Sequence, residues 1–381
     1  MPSPRPDPAP AAPTSAIVRA ATVISPDGPV ADAEVVVEGG LVAALRPATG
    51  AVPPVVLVPG FVDLQVNGIG GVAVADAAGA DWDSLDRSLL AQGVTTWCPT
   101  VVTAPLEALE ASLAGVARAA RRRGEVRPDI AGAHLEGPFL AVRGAHRPEL
   151  VRAEVDAAWL ESVAGLVRVV TLAPELPGAL DAIAALSGRG VLVALGHSAC
   201  TAEVAADAAA AGARLVTHLG NAMGPLHHRA PGLLGAALAD DRLSVSVIAD
   251  LVHTHPVFVR MAFAAKGGRH VALVTDAVAT TAGAEPPRLA DGTLAGSVLT
   301  MDGAVSNVVN HSAVSVADAV QAASTTPARL LGLADRGAIA PGRRADLVAL
   351  EPTGAGGWRV QSVWVAGASV WVAGASAWPP S

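Results

Sequence analysis

Short apolar runs alternate with alanine-rich stretches of helical periodicity through the middle of the chain. Eight apolar runs lie at residues 58–66, 94–100, 130–136, 167–173, 191–196, 214–218, 244–250 and 270–276. The clearest helical stretches lie at residues 105–123, 201–211 and 315–331. Alternation of strand and helix is typical of α/β folds with a parallel sheet, and eight strands close a TIM-type barrel. We therefore predict a (β/α)8 barrel over residues 58–336.

The two ends of the chain have a different pattern. Residues 16–57 alternate short β-branched runs with Asp-Gly and Gly-Gly turns, which is typical of a small antiparallel sheet. The pattern returns after residue 337, with a strand predicted at 344–350 and a hairpin at 363–372. We predict that residues 16–57 and 337–378 together form a small β-sandwich domain. Residues 1–15 are rich in Pro and Ala, lack the features of a signal peptide and are expected to form a disordered tail.

Composition and charge exclude several classes of protein. The net charge is −8 at pH 7, which opposes general nucleic-acid binding because phosphate affinity comes from clustered lysine and arginine. No apolar stretch has the length and uniformity of a membrane span. The two cysteines, Cys98 and Cys200, form neither a disulfide framework nor a thiolate metal motif. We expect a soluble protein of the reducing cytoplasm, with no nucleic-acid or membrane partner.

Polar and ionisable side chains follow several of the eight apolar runs. They are Gln65, Asn67, Glu136, Glu175, His197, His218, Asp250, His253 and Asp276. Active sites of (β/α)8 barrels lie at the carboxyl ends of the strands, where the strands fix side-chain positions and the loops vary. We therefore expect these side chains to converge on one site.

One carboxylate and two imidazoles of this set, Glu136, His197 and His218, predict a metal site. Zinc favours tetrahedral coordination by nitrogen and oxygen, with an open fourth position for water in catalytic sites. A single histidine at a strand end is more often a structural residue, but three such ligands together favour metal binding. We predict one divalent ion per subunit, Zn²⁺ in the first place, with Fe²⁺, Mn²⁺ and Co²⁺ as alternatives because they accept the same donors.

Asp276 closes the last apolar run, so it would lie beside the first strand across the barrel seam. A carboxylate near a water on the metal can accept its proton and later pass that proton to a leaving amine. The alternative role is an N-cap of the following helix, a position that Asp favours. We predict Asp276 as the general base and acid.

Several motifs occur in a fixed order along the chain. They are Pro-Gly-Phe-Val-Asp-Leu-Gln-Val-Asn-Gly at 59–68, His-Leu-Glu-Gly-Pro at 134–138, Gly-Ala-His at 144–146, Gly-His-Ser at 196–198, His-Leu-Gly-Asn-Ala-Met at 218–223, His-Arg-Ala-Pro-Gly at 228–232 and Leu-Val-Thr-Asp at 273–276. Together they resemble the N-acetylglucosamine-6-phosphate deacetylases, a family of the amidohydrolase superfamily. The resemblance extends from about residue 17 to residue 372. It implies hydrolysis of the acetamide of N-acetyl-D-glucosamine 6-phosphate to glucosamine 6-phosphate and acetate.

The resemblance also implies roles for particular residues. Gln65 and Asn67 occupy the positions of a His-x-His motif common in the superfamily, which implies the branch with one metal. His146 would be a second catalytic residue that polarises the acetamide carbonyl. The implied substrate-binding set is Gln65, Asn67, His146, Asn221, Ala222, Arg229, His253 and Met301. Arg229 and His253 would hold the phosphate, and Arg229 would come from the neighbouring subunit of a homodimer.

Departures from the family pattern leave the exact substrate open. The loop at 138–144 is about two residues short, Gly220 stands where an aromatic residue is usual, Ala230 replaces an acidic residue, and Leu251 replaces a glycine. These departures affect the expected sugar specificity more than the expected type of reaction. The alternatives are therefore another N-acetylated amino sugar, such as N-acetylgalactosamine 6-phosphate or an unphosphorylated sugar, and a non-catalytic sensor of an amino-sugar phosphate.

Overall fold

The computed structural model describes residues 15–122, 126–280, 285–354 and 356–374. Of the predicted tail at residues 1–15, only Ser15 lies among them, and it begins the first strand. The end of the predicted helix at 105–123 and residues 375–378 of the predicted small domain lie outside the described residues. No described helix combines the length and the apolar character that a membrane crossing requires.

One sheet joins the two ends of the chain. Its strands are β1 (Ser15–Ser25), β2 (Gly28–Glu38), β3 (Leu41–Pro47), β4 (Val56–Pro59), β16 (Leu347–Pro352), β17 (Trp358–Val365) and β18 (Ala368–Val372). Their order across the sheet is β18-β17-β16-β4-β1-β2-β3. Strands β1 and β4 are parallel, and the other neighbouring pairs are antiparallel. The small β domain built from both termini is confirmed.

This sheet curls until its edge strand β3 meets the chain that leads into β16. The backbone N–H of Val42 donates to the carbonyl of Arg343 at 2.8 Å. The enclosed face forms an apolar core of its own, with fully buried side chains at Val35, Val37, Leu57 and Leu347. The predicted sandwich therefore takes the form of one continuous sheet folded over its own core.

The second sheet is the barrel, and its strands match the eight predicted runs. In order round the barrel they are β5 (Phe61–Val66), β8 (Val94–Val102), β10 (Ala133–Glu136), β11 (Val167–Leu172), β12 (Leu192–Leu195), β13 (Leu215–Val216), β14 (Ser244–Val247) and β15 (Val271–Leu273). Strand β9 (Asp129–Ile130) pairs with β8, while β6 (Gly68–Ile69) and β7 (Val72–Ala73) form a short hairpin. The predicted (β/α)8 barrel is confirmed.

Helices follow most of the barrel strands. They are α1 (Asp81–Ala91), α2 (Leu106–Ala119), α3 (Ala157–Val163), α4 (Ala179–Gly188), α5 (Ala202–Ala211), α6 (Gly232–Ala239), α7 (Pro256–Lys266), α8 (Met301–Ser312), α9 (Val316–Val320) and α10 (Thr326–Leu330). Helices α5 and α9 begin where the hydroxyls of Thr201 and Ser315 accept backbone N–H groups of the first turn. A π-helical turn, Gln321–Thr325, joins α9 to α10.

The apolar run at residues 58–66, predicted as one barrel strand, serves both sheets. Strand β4 ends at Pro59 and pairs with β16, whereas β5 begins at Phe61 and pairs with β8. Gly60 lies between them, and a Cβ atom at this position would lie 2.2 Å from the hydroxyl of Thr95. Only glycine permits so close an approach. Because both strands are apolar, hydrophobic pattern alone does not separate them.

The barrel closes between β5 and the residues that follow β15. The backbone N–H of Asp276 donates to the carbonyl of Gln65 at 2.9 Å. Next to this bond, the carboxylate of Asp63 accepts a 2.6 Å hydrogen bond from the hydroxyl of Thr275. Burial raises the pKa of Asp63 to about 7. The seam therefore sets Asp276 directly beside the end of the first barrel strand.

Candidate active site

The predicted metal ligands lie at the carboxyl ends of three barrel strands. Glu136 is the last residue of β10, while His197 and His218 each lie two residues beyond the ends of β12 and β13. His197 has a φ of 51° and His218 a φ of 32°. A left-handed backbone costs about 1–3 kcal/mol in a residue other than glycine, and such strain is concentrated at functional sites. The surrounding barrel holds both histidines in this conformation.

The three side chains bring their donor atoms to one point. Nε2 of His218 lies 2.9 Å from Oε1 of Glu136, and Nε2 of His197 lies 3.2 Å from the same oxygen. The two Nε2 atoms are 3.1 Å apart. All three side chains are buried. Within the described residues, they are the group of His, Cys, Asp and Glu side chains that lies close enough together to hold a metal ion.

The hydrogen bonds behind these ligands fit a bound cation. Nδ1 of His197 lies 2.9 Å from the carbonyl oxygen of Val142. A carbonyl can only accept, so Nδ1 carries the proton and Nε2 of the neutral ring keeps its lone pair. The carboxylate of Glu136 is also an acceptor. The lone pairs of the Glu136 carboxylate and of the imidazole nitrogens thus converge in a buried space. A divalent cation bound there would coordinate them and offset their mutual repulsion.

Electrostatic interactions within the cluster keep the carboxylate ionised. Burial by itself would raise the pKa of Glu136, but with no cation bound the adjacent imidazoles of His197 and His218 hold that pKa well below its usual value. Burial opposes protonation of His218, yet Glu136 raises the pKa of this histidine above its usual value. The pocket therefore favours positive charge beside Glu136, which is the charge that a metal ion carries.

Asp276 lies beside the ligands and is held by two side-chain amides of the first barrel strand. Nδ2 of Asn67 donates to Oδ1 of Asp276 at 2.6 Å, and Nε2 of Gln65 donates to the same oxygen at 3.1 Å. The Gln65 amide also lies 3.2 Å from Oε1 of Glu136. Burial, followed by the negative charge of Glu136, raises the pKa of Asp276 to about 7. A carboxyl group with this pKa can accept and return a proton near neutral pH.

A buried polar chain lies behind the metal ligands. Nδ1 of His134 donates to the carbonyl of Leu64 at 2.9 Å, and its Nε2 lies 2.8 Å from the hydroxyl of Thr171. Burial lowers the pKa of His134 to about 4, so the ring is neutral and Nε2 accepts from the threonine. His134 precedes Glu136 by two residues on the same strand and so faces the same side. These hydrogen bonds join β10 to its neighbour β11 and to β5, which lies two strands away in the barrel.

These groups line a cavity of about 440 Å³ at the carboxyl ends of the strands. The predicted site residues on its wall are Asn67, Glu136, His146, His197, His218, Asn221, Ala222, His253 and Asp276. The ring of His146 packs edge-on against that of His197, with ring centroids 4.5 Å apart. Burial lowers the pKa of His146 to about 4, so this ring is neutral at pH 7. Asn221 donates from Nδ2 to the carbonyl of His218 at 3.2 Å.

Three residues of the predicted substrate-binding set do not line this cavity. Gln65 is buried against Glu136 and Asp276. Arg229 is exposed, and its Nη1 lies 2.8 Å from Nε2 of His228. Met301 is fully buried at the start of α8, where its backbone N–H donates to Oε1 of Gln92 at 3.0 Å.

Part of the cavity wall comes from residues that the sequence analysis did not single out. They include Val102, Thr103, Ile248, Val278 and the segment 293–296. Apolar side chains at strand ends carry no chemical signal that separates a cavity wall from the core. Gly144, which lies close to the ring of His197, does have a sequence signal, since it belongs to the Gly-Ala-His motif. A Cβ atom at Gly144 would lie 2.9 Å from Cε1 of His197.

Comparison with known proteins agrees with this geometry. The profile of the Amidohydrolase family matches residues 56–370. The chain belongs to this family.

Among the relatives of this amidohydrolase, an N-acetylgalactosamine-6-phosphate deacetylase of Escherichia coli O157:H7 is 37% identical, over 92% of this chain and 98% of that protein. An N-acetylglucosamine-6-phosphate deacetylase of Bacillus subtilis is 33% identical, over 77% of this chain and 80% of that protein. The structure of a Mycobacterium smegmatis N-acetyl-D-glucosamine-6-phosphate deacetylase variant in complex with N-acetyl-D-glucosamine-6-phosphate superposes with a TM-score of 0.85. It is 32% identical, over 94% of this chain and 99% of that chain.

One departure of this amidohydrolase from the family pattern has a structural reason. Gly220 has a φ of 87°, and a Cβ atom at this position would lie 3.1 Å from the ring of Phe258. Phe258 is part of α7. The phenyl ring therefore lies in the space that a larger side chain at residue 220 would need.

We expect His197→Ala to reduce the affinity for a divalent metal by at least about 100-fold, because the remaining pair of donors cannot enclose the ion. Metal content after dialysis against a weak chelator, measured by mass spectrometry, tests this expectation. His227→Ala is the matched control, since His227 lies in an exposed loop outside the three-ligand group. Equal metal content in His197→Ala and the wild-type protein would exclude this site.

Proposed function

We propose that this amidohydrolase hydrolyses the acetamide of N-acetyl-D-glucosamine 6-phosphate to acetate and glucosamine 6-phosphate. The observation that carries the proposal is the convergence of Glu136, His197, His218 and Asp276 on one cavity. Its volume of about 440 Å³ is within the range of small-molecule sites. Relatives that match most of the chain are named as deacetylases of this substrate, and one similar structure contains it.

We assign one divalent ion to Glu136, His197 and His218, with Zn²⁺ as the first choice. Two imidazoles and one carboxylate suit zinc, although Fe²⁺, Mn²⁺ and Co²⁺ accept the same donors. A bound ion would lower the pKa of water and polarise the acetamide carbonyl. The side-chain amides of Gln65 and Asn67, where many superfamily members have a His-x-His motif, support a single ion.

Asp276 moves the proton in this proposal. Both amide hydrogen bonds, from Asn67 and Gln65, go to Oδ1 of Asp276. Oδ2 is therefore the oxygen that takes a proton from the attacking water. The same oxygen returns the proton to the sugar nitrogen as the C–N bond breaks, so the amine leaves in a neutral form.

The other predicted residues bind and orient the sugar. His146 is neutral and beside His197, so it can donate an N–H to the acetamide oxygen as negative charge develops there. Asn221 and Ala222 line the cavity and would contact the sugar, in part through their backbone. Met301 is fully buried at the start of α8 and does not line the cavity, so we assign it no direct contact with the sugar. His253, on the cavity wall, would bind the phosphate.

We propose a homodimer in which Arg229 reaches the active site of the neighbouring subunit. Within one chain the Arg229 side chain is exposed and contacts His228 rather than the cavity. Exposed large apolar side chains are concentrated between residues 226 and 261, namely Leu226, Leu251, Val252, Val257 and Met261. Exposed apolar surface of this kind marks interfaces in many proteins. A guanidinium fork suits phosphate oxygens.

We propose a cytoplasmic enzyme of amino-sugar metabolism. Cys98 and Cys200 are both buried and unpaired, a state that fits a reducing compartment. Burial raises the pKa of Cys200 to about 11, so this thiol stays protonated and unreactive.

N-acetyl-D-galactosamine 6-phosphate is the second candidate substrate. The relative that names it matches 92% of this chain at 37% identity. Gly220, Ala230 and Leu251 are the departures from the family pattern that bear on this choice. A sensor role has less support, because the three ligands and Asp276 are all present and close together. An unphosphorylated amino sugar has less support, because the relatives that match most of the chain are named for 6-phosphates.

Acetate release by the metal-loaded protein tests the proposed function. The panel contains the 6-phosphates of N-acetylglucosamine and N-acetylgalactosamine, the unphosphorylated sugars and a chelator-treated sample. We expect kcat/KM on N-acetylglucosamine 6-phosphate to exceed that on its unphosphorylated form by at least about 100-fold, and activity to be lost on metal removal. Preference for the galactosamine epimer would select the second candidate, and no turnover of any compound would contradict a deacetylase.

We expect Asp276→Asn to lower kcat by about 10² to 10⁴-fold while the metal content stays unchanged, because an amide cannot accept the proton. Acetate release and metal analysis on the same sample check this expectation. Asp240→Asn is the matched control, since Asp240 pairs with Arg242 away from the cavity. Turnover of Asp276→Asn near the wild-type rate would show that another group is the base.

Subunit complementation tests the position of Arg229. We expect Arg229→Ala to raise KM for the phosphorylated sugar by at least about tenfold through loss of a charged hydrogen bond. Arg229→Ala and Asp276→Asn chains, refolded together in equal amounts, should regain about a quarter of wild-type activity, because half of the dimers contain one complete site. Separate refolding of each variant is the control. Absence of any regained activity would contradict a shared active site.

A further inference from the structure

A second acid–histidine pair, Asp250 and His253, lies in the loop after β14, and its histidine lines the cavity. Nδ1 of His253 lies 2.6 Å from Oδ2 of Asp250, and the two side chains are only 5% and 7% exposed. Oδ1 of Asp250 accepts the backbone N–H groups of Val252 at 2.9 Å and of His253 at 2.7 Å. One carboxylate therefore fixes both the backbone of this loop and the orientation of the imidazole ring.

The loop adopts a strained conformation that these hydrogen bonds hold. Leu251, between the acid and the histidine, has a φ of 66°. At the foot of the loop, Nδ2 of Asn307 donates to the carbonyl of Ala249 at 2.9 Å. The position of the His253 ring is consequently set by its hydrogen bond to Asp250 and by the anchoring of the loop at Ala249.

The carboxylate also determines which ring nitrogen of His253 is available to a ligand. Because a carboxylate only accepts hydrogen bonds, the proton that joins the two residues lies on Nδ1 of His253. Nε2 is on the other side of the ring, and His253 lines the cavity. No hydrogen bond from a described residue reaches Nε2. The pair therefore presents one free imidazole nitrogen to a ligand.

Asp250 is an anionic partner within hydrogen-bond distance of the imidazole ring. Burial would raise the pKa of Asp250, but the hydrogen bonds from His253 and from the loop backbone hold that pKa below its usual value, so Asp250 is ionised at neutral pH. A phosphate oxygen can only accept, so a phosphate bound at Nε2 requires a proton there as well, and Asp250 is the carboxylate that pairs with the cation formed in that complex. An imidazolium presents a charged N–H to the cavity, which suits a phosphate oxygen much better than a sugar hydroxyl.

We infer that Asp250 is a positioning residue that acts through His253 to select a phosphorylated substrate. This inference rests on the proposed function and goes beyond it, since it assigns the preference for a phosphate monoester to the carboxylate behind the histidine. Asp250 itself makes no contact with substrate. Its contribution is to orient the ring, to accept the hydrogen bond from Nδ1 and to pair with the cation that forms when Nε2 binds the anion.

Asp250→Asn tests this inference in the metal-loaded enzyme. An amide N–H facing Nδ1 forces the ring proton to Nε2 and leaves the imidazole uncharged. We expect KM for the phosphorylated sugar to rise at least about tenfold and kcat to change less than about threefold. The inhibition constant of inorganic phosphate should rise by a similar factor. The kcat/KM for the unphosphorylated sugar should change less than about twofold.

A double-variant cycle separates action through His253 from a general structural effect. If Asp250 acts through the ring, Asp250→Asn combined with His253→Gln has the same KM as His253→Gln alone. Asp250→Ser is a second variant, since a serine hydroxyl can still accept a loop N–H group but does not charge the ring. Asp156→Asn is the matched control, because Asp156 caps α3 and does not line the cavity.

Equal losses of kcat/KM on the phosphorylated and unphosphorylated sugars would overturn the inference, and so would additive effects in the cycle. An unchanged KM for the phosphorylated sugar in both Asp250 variants would also overturn it. Failure of the wild-type enzyme on every substrate would instead contradict the proposed function. In that case the affinity for inorganic phosphate, measured by calorimetry on wild-type and variant proteins, still decides the role of Asp250.

Discussion

One carboxylate oxygen and two imidazole nitrogens lie within 3.2 Å of one another in a buried site, and the rest of the active-site structure depends on this contact. Atoms with lone pairs do not come together in a protein interior without a cation or shared protons between them. Each of the three residues follows a different barrel strand, so the closed barrel holds them in place. The left-handed backbone at His197 and His218 is part of the same arrangement.

The barrel seam connects this three-residue cluster to Asp276, the proposed acid–base group. The first and last barrel strands meet where the backbone N–H of Asp276 donates to Gln65. The side chain of Gln65 then lies within hydrogen-bond distance of both Glu136 and Asp276. Two negative carboxylates are thereby kept close but joined by an amide, and the negative charge of Glu136 contributes to the raised pKa of Asp276. Closure of the fold and tuning of the acid–base group have one structural origin.

Three histidines of this site differ in chemistry because different groups lie behind their rings. A backbone carbonyl accepts from Nδ1 of His197 and from Nδ1 of His134, which places a proton on Nδ1 and leaves Nε2 as the nitrogen that can offer a lone pair. A carboxylate accepts from Nδ1 of His253 instead. The first arrangement suits a metal ion or a threonine hydroxyl, and the second suits the anion-binding role that we propose for His253.

The sequence by itself determined the barrel, the joining of the two termini in one small domain and the strand ends at which Glu136, His197, His218 and Asp276 lie. Hydrophobic periodicity and strand-end polarity are local signals, so they can be read along the chain. Tertiary structure decided the division of residues 58–66 between two sheets, the apolar cavity wall and the carbonyl partners of His134 and His197. Gly60 separates the two strands through a contact with Thr95, and Asn307 holds the loop of Asp250. These contacts join residues that are distant in sequence, and no local pattern records them.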